Sequence, residues 1–402
     1  MQIIVKHPTL PITELEQSAF CGTDADLPSL PLKDEVKTGV RWQRIPEDYY
    51  DLSQDELDTR INAARSALGN QLVILGHHYQ REDIIKYADL KGDSFQLSQY
   101  AASQDIAEYI VFCGVHFMAE TADILSSPRQ AVLLPNLTAG CSMADMAPTD
   151  DVYDCWEDLS TVLDGFGGIV PVTYMNSTAS IKALCGKHGG LVCTSSNAPA
   201  ALKWAFERGD RVVFFPDEHL GRNTGLKLGL KTEEMIVWNP FRPHGGHTEE
   251  QLRKAKLILW QGRCSVHTRF TVKQIELARD RYPDLNVIVH PECVMETVEA
   301  ADYNGSTEFI VRTISEAPSG TTWAVGTEIN LVSRIAKENP DKTVFCLDPV
   351  VCPCATMFRV HPAYLAWLLE GLVAGVIQNQ ITVDEETHHY ANIALQRMLE
   401  LV

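Results

Sequence analysis

"LVILGHHY" (residues 72–79), "IVPVTYMN" (169–176) and "NVIVHPE" (286–292) are three versions of one stretch: an apolar, β-branched run that ends abruptly in polar, ionisable residues. A run apolar throughout, rather than alternating, reads as a strand buried on both faces, the kind found in parallel sheets. Each copy continues into a turn rich in small hydroxyls that opens a helical stretch: "GDSFQLSQYAA" with Ser94, "CTSSNAPAALKWA" with Ser195, and "GSTEFIVRTI" with Ser306 and Thr307. A second apolar run and an acidic turn follow, reaching Glu120, Glu218 and Glu328. A last apolar run then delivers one cysteine per copy: "AVLLPNLTAGC" (Cys141), "LILWQGRC" (Cys264) and "TVFCLDPVVCPC" (Cys354).

The spacing fixes the frame. From His77 to Cys141 is 64 positions, and the same interval separates His290 from Cys354. The middle copy takes 90 from Tyr174 to Cys264, most of the excess lying in "LGLKTEEMIVWNPFRPHGGHTEEQ". Strands alternating with helical stretches are βαβ units, so the expected fold class is α/β, with three homologous parallel-sheet, three-layer domains around a pseudo-three-fold axis. The expected divisions are an N-terminal extension over 1–52, then domains over 53–142, 143–265 and 266–355. Helices from 356–402 are expected to pack back on the first domain. Residues 1 to about 50 are Pro-punctuated and polar and read as an extension lying on the surface. The first domain opens with a helix capped by Ser53, with Glu56 three residues on and Gly69 as its stop.

Charge and length narrow the function classes. The chain has 402 residues and a net charge of −19, which disfavours nucleic-acid and anionic-membrane partners, because phosphate surfaces reward clustered Lys and Arg. No apolar run reaches the roughly 18 residues of a membrane span. The N-terminal stretch lacks the basic and apolar regions of a signal peptide. A cytoplasmic protein that takes small molecules is the expectation. Eleven scattered cysteines do not look like a disulfide framework. Cys113, Cys185, Cys193 and Cys346 sit inside apolar runs and read as core, and Cys293 is the off-frame cysteine closest to the polar strand ends.

Three distant thiolates can hold zinc, a single iron, or an iron–sulfur cluster with one iron left open. Structural zinc favours closely paired cysteines, so intervals of 123 and 90 residues suit the cluster better. An open iron implies Lewis-acid chemistry on a substrate oxygen. Cys352 makes the third ligand ambiguous by two residues, and the repeat frame favours Cys354. The hydroxyl turns would cap helices and leave backbone N–H groups for anions; one such turn is an ordinary cap, but three in register suggest pockets for carboxylates or phosphate. His77, Tyr79, Tyr174, Asn176, His290 and Glu292 share one repeat position, where buried polar groups need a ligand or water. His267, three residues after Cys264, joins them. The alternatives are an iron–sulfur hydro-lyase acting on a hydroxy acid and, from another class, a redox-sensing or metal-storing protein.

The ordered motifs "GHHYQ", "GDSFQLS", "FMAETA", "AGCSMADM", "TYMNSTASIKA", "CTSSNA", "PDEHLGRN", "WQGRCSVHTRF", "VHPEC", "GSTEFI" and "CATM", spread from about residue 70 to 360, make the chain resemble the quinolinate synthase family of NAD biosynthesis. That resemblance implies a 4Fe-4S cluster on Cys141, Cys264 and Cys354 with one open iron. It also implies condensation of iminoaspartate with dihydroxyacetone phosphate to quinolinate, phosphate and water, with L-aspartate oxidase as the supplier of iminoaspartate. Carried over residue by residue, Tyr79, His267, His290 and Glu292 would be catalytic. His77, Ser94, Tyr174, Asn176, Ser195, Ser306 and Thr307 would bind substrate. The chain departs from the compact family pattern in its N-terminal extension, the insertion near 225–250, His78 and the extra Cys352.

Overall fold

The computed structural model describes residues 29–38, 42–350 and 352–401. Three sheets carry the chain, and each repeat builds one. The first contains β1 (Leu72–His77), β2 (Leu90–Gly92), β3 (Tyr109–Cys113) and β4 (Ala131–Leu133). The second contains β5 (Ile169–Tyr174), β6 (Leu191–Cys193), β7 (Arg211–Phe215), β8 (Met235–Trp238) and β9 (Leu257–Trp260). The third contains β10 (Leu285–Val289), β11 (Tyr303–Asn304), β12 (Thr322–Gly326) and β13 (Thr343–Cys346). Numbered within its own repeat with β8 left out of the count, every sheet contains the parallel order 2-1-3-4: β2-β1-β3-β4, β6-β5-β7-β9 and β11-β10-β12-β13. All six residues of β5 and five of six in β1 are buried, which is why these strands are written in unbroken apolar letters.

That order has a functional consequence. The first strand of each repeat lies between the second and the third, so successive connections leave it in opposite directions and open a crevice at its C-terminal end. His77 and Tyr174 are the last residues of β1 and β5, and His290 follows β10. Register carries the same geometry through the copies: Gly76 pairs with Cys113, Thr173 with Phe215 and Val289 with Gly326.

Two edges depart from the common plan. The long insertion in the middle copy supplies β8, which joins the second sheet parallel to β9. Near the C-terminus, β14 (Gln380–Ile381) adds an antiparallel strand beside β4.

Capping and burial explain the flanking segments. Ser53 accepts from the Glu56 backbone N–H and the Glu56 carboxylate accepts from that of Ser53, closing the expected capping box of the Gln54–Leu68 helix. Gly69 ends it with φ +53°. The Pro362–Val373 helix lies on this one, fixed by Arg60, whose Nε and Nη2 donate to the two oxygens of Glu370 at 2.7 and 2.6 Å. Contrary to expectation, the described segment before Ser53 does not lie wholly on the surface. Leu32 and Glu35 are buried, and Glu35 receives both Nη groups of the buried Arg81, at 2.8 and 2.7 Å. An arginine there needs a carboxylate, and the extension supplies it.

The last helix also differs from expectation. Glu385–Leu399 packs on the Ala179–Lys187 helix and β6 of the second repeat, while β14 just before it stays on the first sheet. The C-terminal segment therefore clamps two repeats together rather than closing one. Close approach at Gly186 makes this possible, since a Cβ there would lie 1.9 Å from the Tyr390 carbonyl oxygen. The first and second repeats share one buried apolar cluster, whereas the third sheet has two of its own, one around Ile288 and Val325, the other around Val287 and Ala324.

Gly186→Ala is expected to destabilise the protein by about 1–3 kcal/mol, the scale of forced overpacking against backbone. A thermal melt checks this; an unchanged midpoint would mean that the last helix is not held at that crossing.

Candidate active site

One cavity is lined by His77 and Tyr79 from the end of β1, Tyr174 and Asn176 from that of β5, and His290 and Glu292 from that of β10. Ser94, Ser195, His267, Thr307, Cys141, Cys264 and Cys354 line it too. The crevices of all three sheets thus open into one space. Among the residues given catalytic, substrate-binding or ligand roles from sequence, Ser306 alone lies elsewhere, on a neighbouring cleft.

The repeat is visible in the hydrogen bonds. His77 Nδ1 accepts the backbone N–H of Tyr79 at 3.1 Å, and His290 Nδ1 accepts that of Glu292 at 3.4 Å. Accepting at Nδ1 leaves Nε2 as the proton-bearing nitrogen of each neutral ring, free to donate to a ligand. Burial pushes both histidines down, with His78 and Arg334 adding to the effect on His77; His290, which also feels His267, falls to about 3. Both rings are therefore neutral donors at ordinary pH. In the middle copy Tyr174 stands where the histidines do, and two residues on, Asn176 has a buried Oδ1 with no partner within the protein. An orphaned buried carbonyl is a place made for a ligand.

Glu292 sits at the centre of a chain of hydrogen bonds that crosses all three repeats. Tyr174 Oη donates to Glu292 Oε1 at 2.6 Å, and His267 Nδ1 lies 2.8 Å from Oε2. His267 Nε2 is 3.1 Å from Thr327 Oγ1, which is 2.9 Å from Tyr79 Oη. Thr307 donates to the same phenol at 3.3 Å. Burial alone would raise the Glu292 carboxyl, but His267, His290 and the hydrogen bonds from His267 and Tyr174 outweigh it and hold the carboxyl low. Burial and the Glu292 charge push both phenols up. The set is an ionised carboxylate and a histidine, with a protonated tyrosine at each end, the parts needed to move protons within a closed space.

The three thiols are free, whereas Cys352 is disulfide-bonded and does not line the cavity. Burial pushes all three up, and Cys141 and Cys264 each also feel the charge of Cys354. Such thiols give up their protons to a bound cation, so the donor set fits a metal centre. Cys264, His267 and Glu292 also offer donor atoms that lie within 4.8 Å of one another. Each cysteine is placed by the helix that follows the third strand of its repeat. His116 N–H donates to Ala139 O and Glu218 N–H to Gly262 O, both at 2.9 Å and both two residues before a cysteine. In the third copy a side chain serves instead: Glu328 Oε1 accepts the Cys354 N–H at 3.1 Å.

A family model described as Quinolinate synthetase A protein matches residues 59–400. A protein named quinolinate synthase from Corynebacterium glutamicum is 59% identical over 362 residues, covering 90% of this chain and 92% of its own. Quinolinate synthases from a Nocardioides species and from Streptomyces coelicolor are each 53% identical, covering 94% and 90% of this chain and 98% and 92% of theirs. The chain belongs to the quinolinate synthase family. That is a family of enzymes of NAD biosynthesis.

Several residues that build this quinolinate synthase site went unread in the sequence. Thr327 connects His267 to Tyr79 from the end of β12, the one signal for it being its place directly after a strand. Arg334, buried in the third repeat, donates to the carbonyls of His78 and Gln80 and so fixes the turn that carries Tyr79. Asn223 donates to the carbonyls of Pro291 and Cys293, both at 2.9 Å, bracketing Glu292. Buried Cys293, flagged near the strand ends, supports that turn without reaching the cavity. Asp217 is wholly buried and caps the Glu218–Lys227 helix through Leu220 N–H, while its Oδ2 has no partner. Burial and the nearby Glu292 push its carboxyl well up.

The hydroxyl turns were only partly understood. Ser306 is a helix cap and accepts from Phe309 N–H at 3.3 Å. Ser94, however, is the first helical residue, and the cap is Asp93, whose carboxylate takes the N–H groups of Phe95 and Gln96. That helix start is already occupied by an anion of its own. Ser195 precedes the Ala198–Phe206 helix, whose cap residue is Asn197. The three turns therefore offer hydroxyls to the cavity or its rim, not three equivalent anion nests.

Lys182 is fully buried, and its Nζ donates to Ser177 O at 2.6 Å, holding the turn that presents Tyr174 and Asn176. Burial pushes it down to about 8, against 10.5 when unfolded. Between those values the unfolded chain holds a proton that the folded one has released, so wild-type stability rises with pH relative to Lys182→Met. From pH 8 to pH 10 the difference in unfolding free energy is expected to move by roughly 2 kcal/mol in favour of the wild type. Denaturant titration at the two values checks it, and a difference independent of pH would place the charge of Lys182 in contact with water.

Proposed function

We propose that the cavity condenses iminoaspartate with dihydroxyacetone phosphate to give quinolinate, phosphate and two waters, around a 4Fe-4S cluster held by Cys141, Cys264 and Cys354. The observation that carries this reading is the convergence of three free thiols, one from each repeat, on the cavity that holds the Glu292 hydrogen-bond chain. An open iron of such a cluster would supply a Lewis acid for the loss of hydroxyl from carbon.

The protein's own residues divide the remaining work. His77 and His290 donate from Nε2 to substrate carboxylate or phosphate oxygens, and Asn176 offers both an amide donor and its unpartnered carbonyl. Ser94, Ser195 and Thr307 add hydroxyls on the cavity wall, with Ser306 at its outer edge. Ring formation needs protons taken from carbon and delivered to departing oxygens. Glu292 accepts through His267, and Tyr79 or Tyr174 donates, without a proton having to come from bulk water. The closeness of Cys264, His267 and Glu292 gives a second reading, a single cation on those three donors. It is less favoured, because it would take His267 and Glu292 away from each other. The enzyme is assigned to the cytoplasm, with L-aspartate oxidase as the source of iminoaspartate, and the divisions 53–142, 143–265 and 266–355 are proposed as its three repeat domains.

Anaerobic protein is expected to contain iron and acid-labile sulfide and to release quinolinate and phosphate together. Zinc without sulfide would sink the cluster, and turnover of a hydroxy acid without phosphate release would point to a hydro-lyase. Changing Cys141, Cys264 or Cys354 to Ser is expected to abolish iron and sulfide incorporation, and Cys352→Ser to leave it intact.

Glu292→Gln keeps shape and volume while removing proton exchange. Its turnover is expected to fall about 100-fold or more with iron content unchanged. Near-normal quinolinate production by this variant would make Glu292 structural.

A further inference from the structure

The active-site cavity contains no Lys or Arg among its lining residues, although both proposed substrates are anions and the chain carries a net charge of −19. Its nearest formal charges are the carboxylates of Asp93 and Glu292. Fixed positive charge lies next door. A separate cleft of about 320 Å³ runs between the Glu218–Lys227 helix of the second repeat and the start of the Thr307–Glu316 helix of the third. It shares Ser195 with the active site, and its wall continues through Ser306 to Thr307, which faces the inner cavity. Lys227 and Arg312 both line it and are exposed. Among the described residues neither makes a close ion pair, although the charge of Arg312 acts on Glu308, the acidic residue on the cleft wall, which lies 3.6 Å from His78; Glu218 pairs with Arg222.

We propose that this cleft is an antechamber that collects small phosphate- or carboxylate-bearing anions on Lys227 and Arg312 and passes them into the active site between Ser195 and Ser306. The proposal rests on the assignment of anionic substrates made above. Placing the cations outside the reaction space has a physical reason. A dianion approaching a strongly acidic protein is repelled at long range, and a local positive cleft reverses that and raises the encounter rate by 10–10³-fold. An ammonium or guanidinium inside the cavity would instead hold substrate and product alike and compete with His267 for the Glu292 carboxylate.

The test is the double variant Lys227→Ala/Arg312→Ala, assayed over a series of ionic strengths, with KM for dihydroxyacetone phosphate and for iminoaspartate generated in situ measured separately. The expected result is a fall in kcat/KM of about tenfold or more at low salt with kcat at saturation within twofold of wild type, and a flattened salt dependence. Lys227→Arg/Arg312→Lys is expected to restore both. The substrate whose KM rises more shows whether phosphate or carboxylate is the group collected. Wild-type kcat/KM with the wild-type salt slope would overturn the proposal, and so would a fall in kcat at unchanged KM. Titration with inorganic phosphate by calorimetry reads the cleft without turnover. Weaker phosphate binding by the double variant supports the antechamber even if quinolinate is not the product, and equal binding by both proteins counts against it even if quinolinate is.

Discussion

A carboxylate shut away from water at the junction of three sheets is the constraint around which this structure is arranged. Glu292 is 2% exposed, and an unpaired charge at such depth would be strongly unfavourable. Its stability depends on partners that no single repeat possesses. Tyr174 comes from the second sheet and His267 from the turn after Cys264, while Tyr79 of the first repeat completes the chain through Thr327. Removing any one partner leaves a buried charge or a buried donor unsatisfied, which costs more than the bond itself contributes. The repeats are therefore held in register partly by electrostatics at the centre, and the site is preorganised because its polar groups already satisfy one another.

Triplication provided the scaffold, and divergence at equivalent positions provided the chemistry. His77 and His290 retain the same bond from Nδ1 to the backbone two residues on, and so the same tautomer. Tyr174 stands at that place in the middle copy and binds Glu292 instead. The cysteine tether is likewise kept as a backbone bond in two copies and replaced by the Glu328 side chain in the third. A three-fold framework brings like positions to one point, and unlike residues at those positions make the point asymmetric.

Much of this could be read from the letters, because parallel strands buried on both faces leave an unmistakable apolar run and because the polar residue that ends each run is costly unless it has a task. The parallel sheets, the capping box at Ser53 and the meeting of His77, Tyr174 and His290 all follow from that local chemistry, whereas the strand order does not. What stayed hidden depends on distance in space. Nothing near Glu385 in sequence says that its helix will lie on the second repeat, since its apolar face suits either neighbour and the choice is made by the gap at Gly186. Asp93 and Ser94 are adjacent cap-forming residues, and which of them caps is a matter of a single dihedral. Arg334 and Asn223 act on loops from other repeats, so their sequence neighbours carry no trace of the role, and Thr327 is marked only by the strand end before it.

The spacing of the three cysteines also governs how the protein is made. On the proposed ligand set, the site is incomplete until Cys354 of the third repeat has been made, and the helix that clamps the first two repeats follows it in the chain. A centre assembled on those three thiols would be loaded only after all three repeats are present, and until then the thiols would stand open to wrong metals and to oxidants.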